Sequence, residues 1–377
     1  MARASDSFSK YGYEGEIVAD AEMAKAAVYG GCLLGGGGGG WIQDGLARSA
    51  LALSLGKVRI IPIGSLDEDA IIITASAVGA SGSKDRHVLP INFVEAIEEV
   101  VTVPGAKPDA IVACEIGATG SVNGWIQSLV LGIPVVDAPW EGRAHPTAAM
   151  GSGGLWFLEG YESIRSAVGG DPAKGRHVKM VVRGSFQSCA TLVRQAAVQA
   201  GGVVAVGRDP LPASFIRKNA ACGSLTQAIS LGQAYLGGLE KGPDAAIEGA
   251  CSFLGADIIY KGTVTSIDLE QRGGFDVGTV QIDKGACQIA FWNEYMTLEV
   301  EGERKATFPD PIMTFDETGT PLISAGVEPG MRLTVARAPK SSLILGTGLT
   351  DPRCYDDAER ATGKEIIRYS FAVPAVP

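Results

Sequence analysis

Histidine is scarce in this chain: three residues in 377, at positions 87, 145 and 177. They form no H-E-x-x-H or H-x-H spacing, which removes the common signatures of a zinc hydrolase. No Gly-Lys-Ser/Thr occurs, so there is no P-loop, and no G-x-S-x-G occurs, so there is no serine elbow. The seven cysteines, at 32, 114, 189, 222, 251, 287 and 354, never form C-x-x-C. Their odd number and wide spacing fit reduced thiols better than a disulfide framework or a structural zinc. No apolar run reaches the roughly 18 residues that span a bilayer. The opening stretch MARASDSFSKYGYEGE lacks the apolar segment of a secretory leader. A cytoplasmic location, away from membranes, is the expectation. The net charge of −10, with basic residues scattered, argues against a nucleic-acid partner.

Glycine is abundant, and six stand in a row from Gly35 to Gly40. A glycine in regular structure costs about 0.5–1 kcal/mol relative to alanine, so such a run needs a reason. Bare backbone allows close approach of a ligand or of another chain segment. Asp20 suits the N-cap of a preceding helix that ends at Gly30-Gly31. A second helix follows over about 42–55, so the run feeds a helix N-terminus that favours an anion or a polarised carbonyl. Gly37, Gly38, Gly39, Gly40 and Asp44 are therefore candidate ligand-binding residues. What precedes the run looks helical, so G-x-G-x-x-G within it is not a dinucleotide fingerprint.

Strand–helix–strand alternation then begins. Strands are predicted near 58–63, 71–78, 109–114 and 133–137, with helices near 92–101 and 122–131. This pattern points to an α/β layer with mostly parallel strands. The stretch 155–170 reads as a helix and connector. Further strands and helices follow to about 254, and beyond 256 the chain alternates as a β-rich module. The fold class is α/β in two domains, divided as 1–168 and 169–377. The second holds an α/β portion (about 177–254), the β-rich module (about 256–348) and a tail (349–377).

Ligands of parallel sheets collect at the carboxyl ends of strands. Glu115 and Asp137 each end a strand there, and Arg143 and His145 follow in the next loop. An acid, a guanidinium and an imidazole can divide base, charge-stabilising and acid roles. Asn123 could orient a carbonyl or amide. Glu115, Asp137 and His145 could supply metal ligands, but no spacing supports it, so no metal or other cofactor is expected. His87 and His177 read as loop and strand-start residues. Cys32, beside the glycine run, is a candidate nucleophile whose alternative is a small buried hydrophobe. In the β-rich module Asn293-Glu294 interrupts an apolar strand, so one of them must face inward. These two and Asp310, in a stiff acidic turn, could close over the α/β site.

Six pieces in order carry a resemblance. They are the glycine run, Glu115-Ile116-Gly117, IPVVDA with GRAHP (Gly142 to Pro146), GGFDVGTV, WNEYM (Trp292 to Met296) and PDPIMTFDETGTPL. Together the chain resembles the S-methyl thiohydantoin desulfurase family along nearly its whole length. The resemblance implies an α/β N-terminal part and a β-containing C-terminal part. It also implies association with hydantoin-utilisation systems that include hydantoinase/oxoprolinase-type proteins. The activity it suggests is hydrolysis of a small cyclic amide-like ring by a cytoplasmic, homo-oligomeric protein. Water would add at the carbon bearing sulfur, with Glu115 or Asp137 as base. The glycine-loop N–H groups and Arg143 would hold the developing charge, and His145 would protonate the leaving thiol. Two alternatives stand beside it: a non-catalytic subunit of a hydantoinase/oxoprolinase-type complex, and a phosphate- or nucleotide-binding enzyme that uses the glycine run.

Overall fold

Asp20 begins the first helix, α1 (Ala21–Gly35), by accepting from the Met23 N–H at 2.8 Å. The computed structural model describes residues 11–102 and 107–371. Helix α1 does not stop at Gly30-Gly31, as the sequence predicts. It runs to Gly35 and is capped by Gly36 in the left-handed region (φ 57°). Gly30 and Gly31 serve packing inside it. A β-carbon on Gly30 would lie 1.8 Å from the Ala228 carbonyl oxygen, and one on Gly31 would lie 2.2 Å from that of Gly117.

The first sheet has eight strands: β1 (Ile17–Val18), β2 (Arg59–Ile61), β3 (Ile71–Gly79), β4 (Ala110–Ala113), β5 (Val135–Val136), β6 (Glu162–Gly169), β7 (Val178–Ser185) and β8 (Val203–Pro212). Their order is β1-β2-β5-β4-β3-β8-β6-β7. Strands β2, β5, β4 and β3 are parallel, while β1 and the β8-β6-β7 group are antiparallel to their neighbours. The apolar strands bury both faces by period-two alternation. Ile60, Ile73, Ile111 and Val135 join one core, and Ile61, Ile72, Val112 and Val136 join the other.

Helix α2 (Ile42–Leu55) leads into β2, and helices α3 (Pro90–Thr102) and α4 (Trp125–Leu131) connect the parallel strands β3, β4 and β5. Helices α5 (Phe186–Gln199), α6 (Ala213–Asn219), α7 (Ser224–Leu239) and α8 (Pro243–Leu254) follow β7. The stretch read as a helix over 155–170 is a short 3-10 turn at Leu155–Phe157 followed by β6. Its small residues suit a strand gripped on both sides: β6 pairs with β7 and with β8, and Ser163 to Gly169 are buried apart from a half-buried Ile164.

The second sheet is antiparallel throughout, built from β9 (Asp257–Arg272), β10 (Phe275–Ile282), β11 (Cys287–Trp292), β12 (Glu294–Val300), β13 (Glu303–Thr307), β14 (Ile312–Phe315), β15 (Pro321–Leu322) and β16 (Arg332–Arg337). Gly273-Gly274 turn the β9–β10 hairpin with φ of 61° and 82°, the conformation a two-residue hairpin demands. Strand β9 is long enough to pair with β16 along its first half and β10 along its second. Helices α9 (Asp356–Thr362) and α10 (Ile367–Phe371) close the described chain. No helix among the described residues is long and apolar enough to cross a membrane.

Candidate active site

One cavity of about 950 Å³ lies where the two sheets meet. Its lining draws on the ends of β4 and β3, the β5–β6 loop, β8, α5, and the β11–β12 turn. This is the position that a parallel sheet reserves for ligands. Trp41, Trp156, Phe275 and Trp292 give it aromatic walls, and Cys114, Glu115, His145, Arg194, Arg208 and Glu294 give it polar groups.

Cys114 and Glu115 follow directly on β4, and a backbone bridge ties Glu115 to Glu141 in the next strand's loop. That bridge brings His145 round to them. The His145 backbone N–H donates to Glu115 Oε2 at 3.2 Å, and His145 Nε2 lies 3.6 Å from the same oxygen. His145 Nδ1 is 3.0 Å from the Thr147 carbonyl oxygen. A carbonyl can only accept, so Nδ1 carries the proton and Nε2 offers its lone pair to the cavity. Nε2 also lies 3.7 Å from Cys114 Sγ. Arg208 Nη2 reaches Cys114 Sγ at 2.9 Å and the Gly151 carbonyl oxygen at 2.7 Å. Gly151 is required by this arrangement, since a β-carbon there would sit 2.4 Å from His145 Cε1.

Burial governs the proton affinities. It pushes Glu115 up to about 7, partly offset by His145 and Arg208. It holds His145 below the ordinary imidazole value, so the ring is neutral near neutrality. Glu294 is raised well above the carboxylate range by burial and by the nearby Glu115 charge. Its Oε2 is buried without a partner, as is Arg208 Nε. A buried polar atom left unpaired costs about 1–3 kcal/mol, which a bound ligand would relieve. Arg194 stacks over Phe275 at 3.9 Å, and burial lowers it to about 10.

Of the residues singled out in the sequence, Glu115, His145, Asn293, Glu294, Gly39, Gly40 and Asp44 line this cavity. Asn293 takes φ 57° at the turn and Glu294 points inward. Others stand elsewhere. Asp137 is buried at the start of α7, where it accepts from Leu225 N, Thr226 N and Thr226 Oγ1 at 2.7, 3.2 and 2.7 Å. Arg143 is fully buried and donates to the carbonyls of Ala144, Pro309, Asp310 and Gly35. Asn123 accepts from Gln127 at 3.1 Å, and the Asp310 carboxylate from Lys340 N at 2.8 Å. Cys32 is buried in α1 against Pro321, and burial pushes its thiol up to about 12, opposite to what a nucleophile needs. Among the described residues no cluster of three metal-ligating side chains exists.

The glycine run serves the chain itself more than the cavity. β-carbons on Gly36, Gly37 and Gly38 would lie 2.5, 2.7 and 2.0 Å from Arg143, Tyr295 and Glu294. Its carbonyls accept from Tyr295, Ser324 and Thr119, three separate segments. Cys114, Arg194 and Arg208 were not singled out in the sequence. Cys114 had a signal, since it directly precedes Glu115 at a strand end. Arg208 had none, because its partner lies 94 residues away.

The comparisons describe a chain of two domain segments. Residues 23–165 match the family model described as S-Me-THD-like, N-terminal domain, and residues 185–355 match S-Me-THD-like, C-terminal domain. A crystal structure of a protein from Chromobacterium violaceum is similar in fold, with a TM-score of 0.66 at 21% identity over 92% of this chain and 97% of that one. No curated protein matches. With both family domains matched in order along most of its length, the chain belongs to the S-Me-THD-like family, as its resemblance to the S-methyl thiohydantoin desulfurases implies.

Proposed function

We propose that the protein hydrolyses a small cyclic amide-like ring of the S-methyl thiohydantoin type, placing oxygen where sulfur was and releasing a thiol. The observation that carries this reading is the meeting of Glu115, His145 and the Glu294 carboxyl, whose Oε2 has no partner, in one cavity. The candidate ring is flat and carries donors and acceptors on its edge. Aromatic walls with a few convergent polar groups suit such a ligand.

The protonation states divide the work. Glu294, raised well above the carboxylate range, keeps its proton and can donate to a ring nitrogen or carbonyl. Glu115, near 7, can take a proton from the attacking group and return it. Neutral His145 can take up a proton at Nε2 from the attacking group and then pass it to the leaving sulfur. Arg194 and Arg208 set fixed positive charge beside the adduct, where negative charge develops in a site of low dielectric.

Purified protein incubated with S-methyl thiohydantoin in heavy-oxygen water tests this. The expected result is equal release of methanethiol and of hydantoin carrying one heavy oxygen, read by mass spectrometry. No release from the ring by the protein alone rejects the reading. Release only after a hydantoinase/oxoprolinase-type protein is added transfers the activity to a complex.

A further inference from the structure

We infer that Cys114 is the nucleophile of this site and that the reaction runs through a ring–Cys114 thioether; the inference rests on the proposed ring hydrolysis. Cys114 is the cysteine that stands in the cavity between a base and a cation. Its sulfur lies 3.7 Å from the acceptor nitrogen of His145 and 2.9 Å from Arg208 Nη2. That is the layout of an activated thiol: a base takes its proton, a third group (the Thr147 carbonyl) orients the base, and a cation holds the charge. The unpaired buried Glu294 Oε2 and Arg208 Nε in the same cavity mark where a ligand completes the set. The other six cysteines lie outside the cavity lining.

The steps balance without an oxidant. His145 Nε2 accepts the Cys114 proton, and Sγ attacks the ring carbon bearing the methylthio group. The C=N electron pair moves to nitrogen, where the Glu294 proton meets it. The pair then returns and its proton goes back to Glu294. The bond to the methylthio sulfur breaks, and methanethiolate leaves with the proton held by His145. Water, losing a proton to Glu115, next attacks the same carbon. The carbon–Sγ bond breaks, and Cys114 departs as a thiolate beside Arg208. The proton on Glu115 returns to Cys114, and the ring keeps the new oxygen. The exchange of one thioether for another is useful because of Arg208. The guanidinium receives the charge of the departing Cys114, which methanethiolate lacks, so the second step is the easier one.

The test has two arms. In the first, Cys114→Ala and Cys114→Ser are assayed on S-methyl thiohydantoin, and wild-type turnover is quenched for intact-mass measurement. The expected result is a loss of about 10³-fold or more in methanethiol release with an unchanged melting temperature, and a ring adduct on the wild-type peptide that holds Cys114. The second arm needs no substrate. Iodoacetamide at neutral pH should alkylate Cys114 first among the seven cysteines, and His145→Ala should slow that labelling about tenfold. Wild-type rates in Cys114→Ala overturn the nucleophile and leave the proposed hydrolysis intact. Cys114 labelling no faster than that of buried Cys32 overturns it regardless of substrate. A reactive Cys114 in a protein inert on the ring supports the thiol and rejects the proposed substrate.

Discussion

Glu115 shows how one partly buried carboxyl links stability to activity. Burial favours its neutral form, so it titrates near 7 when folded and near 4.3 when unfolded. Between those values the folded chain keeps a proton that the unfolded chain releases. Stability from this group is therefore present at about pH 4 and lost as pH rises through about 7. Glu115→Gln has no charge to bury. Its melting temperature should exceed that of wild type above neutrality and match it near pH 4, while turnover is lost. In wild type the acid limb of kcat/KM should fall near pH 7, because the base must be ionised to accept a proton. A melting-temperature difference that ignores pH would reject this account. Asp137, at a similar strand end, is also pushed up by burial, to about 6, but its partners belong to the fold and not to the cavity. Its carboxylate holds the first N–H groups of α7, so Asp137→Asn turns an acceptor into a donor facing other donors. A stability loss of about 1–3 kcal/mol in a denaturant titration is expected, with normal turnover from the folded fraction. Lost turnover at unchanged stability would place Asp137 in the chemistry instead.

At the scale of elements, the glycine run is a seam between α1, the β11–β12 turn and the Glu115 loop. Its positions should therefore respond unequally. Gly39 takes φ 78°, and a β-carbon there would lie 2.5 Å from Gly117 Cα, so Gly39→Ala should destabilise by about 2 kcal/mol or more. Gly35 is helical, and its nearest contacts at 3.7 and 3.9 Å leave room for a methyl, so Gly35→Ala should be neutral or stabilising by up to about 1 kcal/mol. Equal effects in thermal melts would reject the seam. The run's closeness to something was legible from composition; what it is close to was not. Tyr295 and Glu294 reach it from more than 250 residues away, and spacing carries no such information. The parallel strands and their carboxyl ends were legible from apolar runs and turns, which is why the sequence places Glu115 and His145 at the mouth that the cavity occupies. Strand β6 was misread because ESIRSAVG has no clear alternation; its partners β7 and β8 decide its state. Cys114 went unnoticed because a free cysteine is usually just a small hydrophobe.

Across the whole molecule, the two matched domain segments do not divide the first sheet between them. Strand β8 lies in the C-terminal match yet stands between β3, which lies in the N-terminal match, and β6, which begins at the end of that match and runs past it. It pairs with β3 from Ile71 to Gly79 and brings Arg208 to Cys114. The cavity needs the second sheet as well, for Glu294 and the aromatic wall. Buried Glu141 adds a further tie by accepting from the N–H groups of Gly346 and Leu349 at 2.8 and 3.1 Å. A fragment ending near residue 185 would leave β3 and β6 with open edges in the middle of a sheet, and would expose apolar residues that α5 and β8 cover. Such a fragment should not melt cooperatively by circular dichroism and should aggregate, while the full chain should unfold in a single transition whose calorimetric and van't Hoff enthalpies agree. Two separable transitions in the full chain, or a soluble and cooperatively folded fragment, would show that the sheet can do without β8. In that case the Arg208–Cys114 contact would report domain docking rather than a site built into one folding unit.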